Sequence, residues 1–520
     1  MVTPGSRRDS VQTVVGSATT RPSRPPRSAL GDLADWLATH SAPRLTGEPR
    51  TVVTGLTLSS QRVRPGDLYV ALPGARAHGA DYAADAVASG AVAVLTDEAG
   101  ALRVQQQASD VPLLVVPEPR RLLGGLSAHV YGDPATSMAM IGVTGTQGKT
   151  TTTRLAEAGL QASGTRAAVV GTVGTRMVGE DVPTSLTTPE APDLQALFAV
   201  MREREVAVCA MEVSSHALVL GRVDGTVFDV TTFLNLGRDH LDFHADVEEY
   251  FAAKASLFTP ERARLALVNL DDGHGRRLAE SVTIPLRTFS AAGAEADWRA
   301  VEVTTTAHGS TFVVEGPGGL RLPAGVPLAG DFNVSNALAA IASCAEAGFD
   351  PAAVAAGIAE GPGVPGRLED IDEGQSFAVV VDYAHKPDAV EAALRTLRPL
   401  TEGRLLVVIG AGGDRDPGKR PLMGEIAARL ADVLVVTDDN PRSEEPAAIR
   451  AAVLAGAGDG GAEVLEVGER RTAIRTALEL AGPGDIVLVA GKGHESGQEV
   501  AGVVHPFDDR DVVREELRRL

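Results

Sequence analysis

The run Ile141-Gly142-Val143-Thr144-Gly145-Thr146-Gln147-Gly148-Lys149-Thr150-Thr151 has the residue types needed to hold a nucleoside triphosphate. An apolar stretch, Met138 to Val143, reads as a buried strand, two glycines turn the chain, and Thr151 to Leu160 has helical spacing. Such a turn is an anion site, because backbone N–H groups point at the phosphates and the helix dipole adds positive potential. Lys149 is placed to reach the outer phosphates and the Thr150 hydroxyl to ligate magnesium, with Gly145, Thr146, Gln147, Gly148 and Thr151 completing the cradle. The spacing departs from the ordinary phosphate loop, since Val143 stands where its first glycine would be.

Two other apolar runs end in residues of matching chemistry. Val206 to Met211 suits a parallel strand covered on both faces, and it ends in Glu212. Val227 to Leu234 is followed at once by Asn235-Leu236-Gly237-Arg238-Asp239-His240. Ligand sites in open α/β sheets lie beyond the carboxyl ends of the strands, so Glu212 and His240 fall where the nucleotide should be. Glu212 and Thr150 both offer hard oxygens suited to magnesium. Lys254, on a helix from about Val247 to Phe258, reads from its surroundings as a solvated helix lysine.

Beyond the Gly361-Pro362-Gly363-Val364-Pro365-Gly366 linker, strand and helix patterns alternate. The strands Ala378 to Val381, Leu405 to Ile409, Val433 to Thr437 and Ile486 to Ala490 each end in a polar cluster. These are Asp382-Tyr383-Ala384-His385, Gly412-Gly413-Asp414-Arg415-Asp416, Asp438-Asp439-Asn440-Pro441-Arg442 and Gly491-Lys492-Gly493-His494-Glu495. Turns alone need neither Arg415, Arg442 nor Glu495, and guanidinium groups match carboxylates bidentately.

The elements that must position these residues divide into an expected tail and three α/β domains. Residues 1–29 read as a disordered tail rich in Ser, Thr, Pro and Arg. Residues 30–133 form a small α/β domain, 134–362 a central parallel-sheet domain holding the phosphate loop, and 363–520 a doubly wound, Rossmann-like domain.

Composition excludes several partners. A net charge of −20 would repel a phosphate backbone, and an aromatic share of 4% supplies no stacking platform, so nucleic acid is not expected. Cys209 and Cys344 lie in apolar surroundings, as core thiols of a reducing compartment do. No apolar run reaches membrane-spanning length and no apolar leader is present, so a soluble cytoplasmic protein is expected, without membrane insertion and as a monomer.

GTQGKTT (Gly145 to Thr151), MEVSSH (Met211 to His216), NLGRDHLDFH (Asn235 to His244) and GDFNVSNALAA (Gly330 to Ala340) together resemble the Mur ligases, ATP-dependent amide-forming enzymes of peptidoglycan precursor synthesis. DDNPR (Asp438 to Arg442) with GKGHE (Gly491 to Glu495) is similar to their diaminopimelate-adding branch. The resemblance runs from about Leu30 to the C-terminus. It implies three domains holding, in order, the uridine end of the substrate, ATP, and the incoming amino acid. The implied reaction joins meso-diaminopimelate to UDP-N-acetylmuramoyl-L-alanyl-D-glutamate through an acyl phosphate, releasing ADP and phosphate.

By the same resemblance, Leu58, Ser60, Ala75, Arg76 and Ala77 would contact the uridine nucleotide, and Thr187, Thr188, Ser214 and Arg222 the rest of that substrate. Asn333, Arg367 and Asp382 match further ATP contacts, and His240 a holder of a second ion. Arg415, Asp439, Asn440, Pro441, Arg442, Gly491 and Glu495 match the diaminopimelate positions, with Arg442 selecting the extra carboxylate and Glu495 an ammonium group. Lys254 matches a lysine carbamylated by carbon dioxide, an anion that helps hold magnesium; Lys149, Glu212, His240 and Lys254 are the implied catalytic set. Gln147 stands where Asn is common, Gly237 where Ser or Thr is common, Lys386 where Thr is common, and Ser59-Ser60-Gln61 in place of Asp-Ser-Arg. The rival readings are another member of the superfamily, lysine-adding or D-alanyl-D-alanine-adding, and an inactive nucleotide-gated binding protein.

Overall fold

The computed structural model describes residues 20–520 except 75, 185, 238, 241, 242 and 459. Among these, three sheets carry three successive α/β layers, in the expected order.

The first sheet has five strands in the order Arg44–Thr46, Leu113–Val115, Ala93–Thr96, Asp67–Ala71, Gly55–Thr57. It packs on the helix Leu30–Ala38, whose Leu30, Leu33 and Leu37 recur at helical spacing and are all buried. The expected disordered tail of residues 1–29 does not hold over residues 20–29. Ser28–Ala29 pairs with Val52–Val53, and Arg21 is buried, donating to Asp67 Oδ1 at 3.2 Å, Tyr131 Oη at 2.6 Å and the Leu56 carbonyl at 3.0 Å. A segment without large apolar residues is ordered here by strand pairing, by the Arg21 guanidinium and by Glu203, which accepts from the Ser23 and Arg24 N–H groups, and hydrophobic pattern registers none of these.

The central sheet has eleven strands among the described residues. Its parallel heart runs Ala167–Gly171, Val208–Glu212, Ala139–Thr144, Val230–Phe233, Ala266–Asn269, Leu286–Ser290. Apolar residues fill these strands because helices cover both faces. One edge is extended by the antiparallel hairpin Gly174–Met177 with Glu180–Val182, unmarked in the sequence reading; at the other, Trp298–Thr306 adds parallel to Leu286–Ser290 and then meanders antiparallel through Gly309–Gly316 and Leu320–Val326. The helix Lys149–Ala162 follows the phosphate loop and lies close against Pro351–Ala359; a Cβ at Gly159 would come 2.7 Å from the Val354 carbonyl oxygen.

The last sheet orders Glu369–Asp370, Ala378–Asp382, Ile486–Ala490, Leu405–Ile409, Val433–Val436, Glu463–Glu466, parallel except for the first pair. A further hairpin, Gly497–Val500 with Val503–Pro506, stands outside it. Among the described residues no helix is long and apolar enough to cross a membrane.

Candidate active site

Three neighbouring parallel strands release the chain at one edge, and their registers set the site. Glu212 pairs with Val143 and Phe233 with Thr144, so the phosphate loop leaves the sheet between Glu212 and the Asn235–His240 segment. Asn235 Oδ1 accepts from the backbone N–H groups of Thr146 at 3.1 Å and Gln147 at 2.9 Å, holding the loop open. Gly148 takes φ +85°, and a Cβ there would meet Asn336 Oδ1 at 2.3 Å, so this turn requires glycine.

A cavity of about 630 Å³ opens above the loop. Lys149 Nζ donates to the carbonyls of Gly145 at 2.7 Å and Thr146 at 3.1 Å. Lys254, whose helix surroundings alone read as a solvated lysine but which the resemblance assigns to the site, is 1% exposed, and its Nζ donates to the same Gly145 carbonyl at 3.0 Å. Asp246 caps the helix Val247–Ala255 that delivers it, accepting from Glu249 N–H at 2.8 Å. Burial, then the neighbouring Lys149 charge, pushes the Lys254 amine well below the ordinary lysine value. Burial likewise lowers Lys149 and His240.

Glu212 is 1% exposed and fully engaged: Oε1 accepts from Thr150 Oγ1 at 2.9 Å and Thr172 N–H at 2.7 Å, Oε2 from Thr172 Oγ1 at 3.1 Å. Thr187 Oγ1 lies 3.0 Å from Thr172 Oγ1, and Thr188 Oγ1 donates to the Glu212 carbonyl at 2.9 Å. Arg222 pairs with Glu190 at 2.8 Å beside them. Thr187, Thr188, Ser214, Arg222 and His240 line the same cavity as Lys149, Thr150 and Thr151.

The C-terminal domain closes this cavity with Asp382-Tyr383-Ala384-His385 and Lys386. Asp382 does so mainly as a brace, its carboxylate accepting the N–H groups of Leu368 and Ala384, each at 2.8 Å. Arg367 lies over the Tyr383 ring at 4.8 Å, and Asn333 donates to the Ala329 carbonyl at 2.8 Å. Lys386 reaches across to Asp239 at 3.2 Å.

The other three polar clusters gather at a second place on the same sheet edge. Asn440 Nδ2 donates to Glu495 Oε2 at 2.9 Å, and the fully buried Lys492 reaches Asn440 Oδ1 at 3.1 Å and Glu495 Oε2 at 3.2 Å. Glu495 therefore already has a cation beside it, which sequence reading did not foresee. Arg442 donates to the Gly413 carbonyl at 2.6 Å and pairs with Glu499 at 3.5 Å; Gly412 lies between Arg442 and Arg415. Pro441 packs on Gly413, and Gly491 on Asp439.

Leu58, Ser60 and Ala77 line a separate cavity of about 790 Å³ in the first domain, beside Arg120. Arg76 is exposed next to it, and Ala75 lies outside the described residues. Thr172 and Tyr250 were missed by sequence reasoning: Thr172 holds Glu212, and Tyr250 Oη lies 3.1 Å from Thr146 Oγ1. No motif marks either one.

Family models match all three domains: "Mur ligase family, catalytic domain" over residues 52–131, "Mur ligase middle domain" over 143–344 and "Mur ligase, glutamate ligase domain" over 366–493. The chain is 55% identical to the UDP-N-acetylmuramoyl-L-alanyl-D-glutamate–2,6-diaminopimelate ligase of Streptomyces coelicolor, over 96% of this chain and 98% of that one. It is 53% identical to the protein of the same name from Corynebacterium efficiens, over 88% and 89%. A solved structure of a UDP-N-acetylmuramoyl-L-alanyl-D-glutamate–2,6-diaminopimelate ligase matches with a TM-score of 0.68 at 32% identity, covering 95% of this chain and 99% of that chain.

Proposed function

The chain belongs to the Mur ligase family, and on that premise we propose that it joins meso-2,6-diaminopimelate to the D-glutamate of UDP-N-acetylmuramoyl-L-alanyl-D-glutamate, consuming ATP in peptidoglycan precursor synthesis. One observation supports this most strongly. The phosphate loop and the Thr187, Thr188, Ser214 and Arg222 wall share one cavity, so a phosphoryl donor and a carboxylate acceptor can meet in it.

A carboxylate does not acylate an amine at neutral pH, because its oxygen is a poor leaving group. In the proposed sequence the glutamyl carboxylate attacks the terminal phosphorus of ATP, the phosphoanhydride bond breaks, and ADP leaves. The resulting acyl phosphate is attacked by the diaminopimelate amine; phosphate departs and the amine gives up a proton. Two anions meet in the first step, so concentrated positive charge is required. Lys149 and the N–H groups from Gly145 to Thr151 would supply it.

The donor set fits magnesium, which prefers a carboxylate and a hydroxyl plus water and phosphate oxygens over an all-protein cage. Thr150 Oγ1 and Glu212 Oε1, 2.9 Å apart in the cavity, would hold one ion, and His240 would hold a second. When bound, such an ion would neutralise phosphate charge. Lys254 would add carbon dioxide and lose a proton to become a carbamate, a step that needs a neutral amine. Its depressed pKa supports that reading.

Asn333, Arg367 and Asp382 would complete the ATP site, and Leu58, Ser60, Ala75, Arg76 and Ala77 would receive the uridine nucleotide. Arg415, Asp439, Asn440, Pro441, Arg442, Gly491 and Glu495 would receive diaminopimelate. We assign the protein to the cytoplasm, as two buried free thiols suit a reducing compartment, and propose that it acts as a monomer.

The test is ADP formation with the uridine-linked dipeptide across an amino-acid panel. The proposal requires release that depends on both the dipeptide and diaminopimelate; release with neither substrate would overturn it. Hydroxylamine should trap the acyl phosphate during turnover.

A further inference from the structure

We propose that Arg470 is a positioning residue for the amino-acid site, setting the separation of the two loops that form it. The inference rests on the reading of Asp439–Arg442 and Gly491–Glu495 as the diaminopimelate site.

Arg470 opens the helix Arg470–Leu480 and Asp509 opens Asp509–Leu517. Both side chains are wholly enclosed, at 0% exposure, and neither lines either cavity. Arg470 Nε and Nη2 donate to the two Asp509 carboxylate oxygens, each at 2.7 Å. Nη2 also donates to the Ala490 carbonyl at 3.0 Å, and Nη1 to that of Asp438 at 3.4 Å.

Those two carbonyls are the roots of the loops. Ala490 ends the strand Ile486–Ala490 and immediately precedes Gly491, while Asp438 immediately precedes Asp439. One planar group therefore spans the gap between two non-adjacent strands, Val433–Val436 and Ile486–Ala490, which Leu405–Ile409 separates. The loops meet at this point. A Cβ on Gly491 would lie 2.8 Å from Asp439 Oδ2 and 3.8 Å from Arg470 Nη2. Asp439 Oδ2 is buried with no hydrogen-bond partner among the described residues, a carboxylate oxygen available to an incoming ammonium group. Outward from the roots, Asn440 and Glu495 are bonded to each other and to Lys492, so a displaced root moves the whole set.

Stability alone gives little reason for this pair. Removing two charges from water costs as much as their attraction returns, and apolar residues of similar volume often serve a core as well. A fixed guanidinium fork supplies what apolar packing lacks, several donors at set angles. Burial pulls the Arg470 pKa down, but Asp509, Asp439 and Glu495 raise it on balance, so the clamp stays charged.

The test is steady-state kinetics of wild type, Arg470→Lys and the double variant Arg470→Met/Asp509→Leu, varying each substrate in turn. Lysine keeps the charge but cannot bridge both carbonyls and both carboxylate oxygens; the double variant removes the pair without stranding a charge. The expected result is a roughly ten- to hundredfold rise in KM for diaminopimelate, with KM for ATP and the uridine-linked dipeptide within about twofold of wild type. An unchanged diaminopimelate KM, or three KM values rising together, overturns the inference. So does unfolding of both variants by circular dichroism, since the pair would then serve the fold. Failure of the underlying reading shows instead in wild type, as ADP formation indifferent to diaminopimelate.

Discussion

Lys149 and Lys254 donate to one oxygen: their ammonium nitrogens lie 2.7 Å and 3.0 Å from the Gly145 carbonyl. Burial of Lys254, at 1% exposure, and then the Lys149 charge converging on the same acceptor disfavour its charged form.

Lys254→Met should therefore abolish ligase turnover yet raise Tm at pH 7 in buffer free of carbon dioxide. The folded chain resists protonating Lys254, so between its lowered pKa and the ordinary 10.5 the unfolded chain binds more protons. The stability is full above about 10.5 and lost as pH falls through that window. The variant should lack this slope. Labelled carbon dioxide should mark Lys254 of wild type by mass spectrometry; a slope retained in Lys254→Met contradicts the assignment.

Glu212→Gln removes a carboxylate that receives three hydrogen bonds and faces the Thr150 hydroxyl. The expected outcome is a kcat roughly a hundred- to a thousandfold lower, with a higher magnesium concentration at half-saturation. Affinity for the uridine-linked dipeptide, measured calorimetrically, should hold.

Arg442→Ala should weaken diaminopimelate by about 2–5 kcal/mol, roughly thirty- to several-thousandfold, leaving ATP affinity intact. Glu499 stands 3.5 Å from the Arg442 guanidinium, so Glu499→Gln should strengthen diaminopimelate binding by freeing that group. Titration calorimetry of both variants would decide; unchanged affinity in Arg442→Ala counts against its role.

Cys209 and Cys344 are free, buried and pushed up to about 12 by burial. A raised thiol pKa means the thiolate appears only as pH approaches that value. Native protein should resist iodoacetamide at pH 8, and both thiols should react once it is unfolded. Rapid native alkylation followed by mass spectrometry would contradict the burial.

Much of this was legible in the chain because the signals are local. The apolar run before Gly145, the glycine turn and the helix after it sit within one contiguous stretch, so the phosphate loop was readable. The same holds for the four clusters at strand ends of the last domain, since apolar runs mark strands and charged residues mark their exits. Arg21 and the hairpins Gly174–Val182 and Gly497–Pro506 escaped, because their order comes from partners distant in sequence or from edge pairing that needs no apolar pattern.

The sequence by itself determined the residue types, the order of domains and the loop chemistry, for these depend on neighbours along the chain. Only the tertiary structure decided that Lys254 is enclosed against Gly145, that Thr172 braces Glu212, and that Arg470 joins the roots of two loops. Each of those facts depends on which strands lie side by side, and burial and charge coupling arise only after segments far apart in sequence have been brought together.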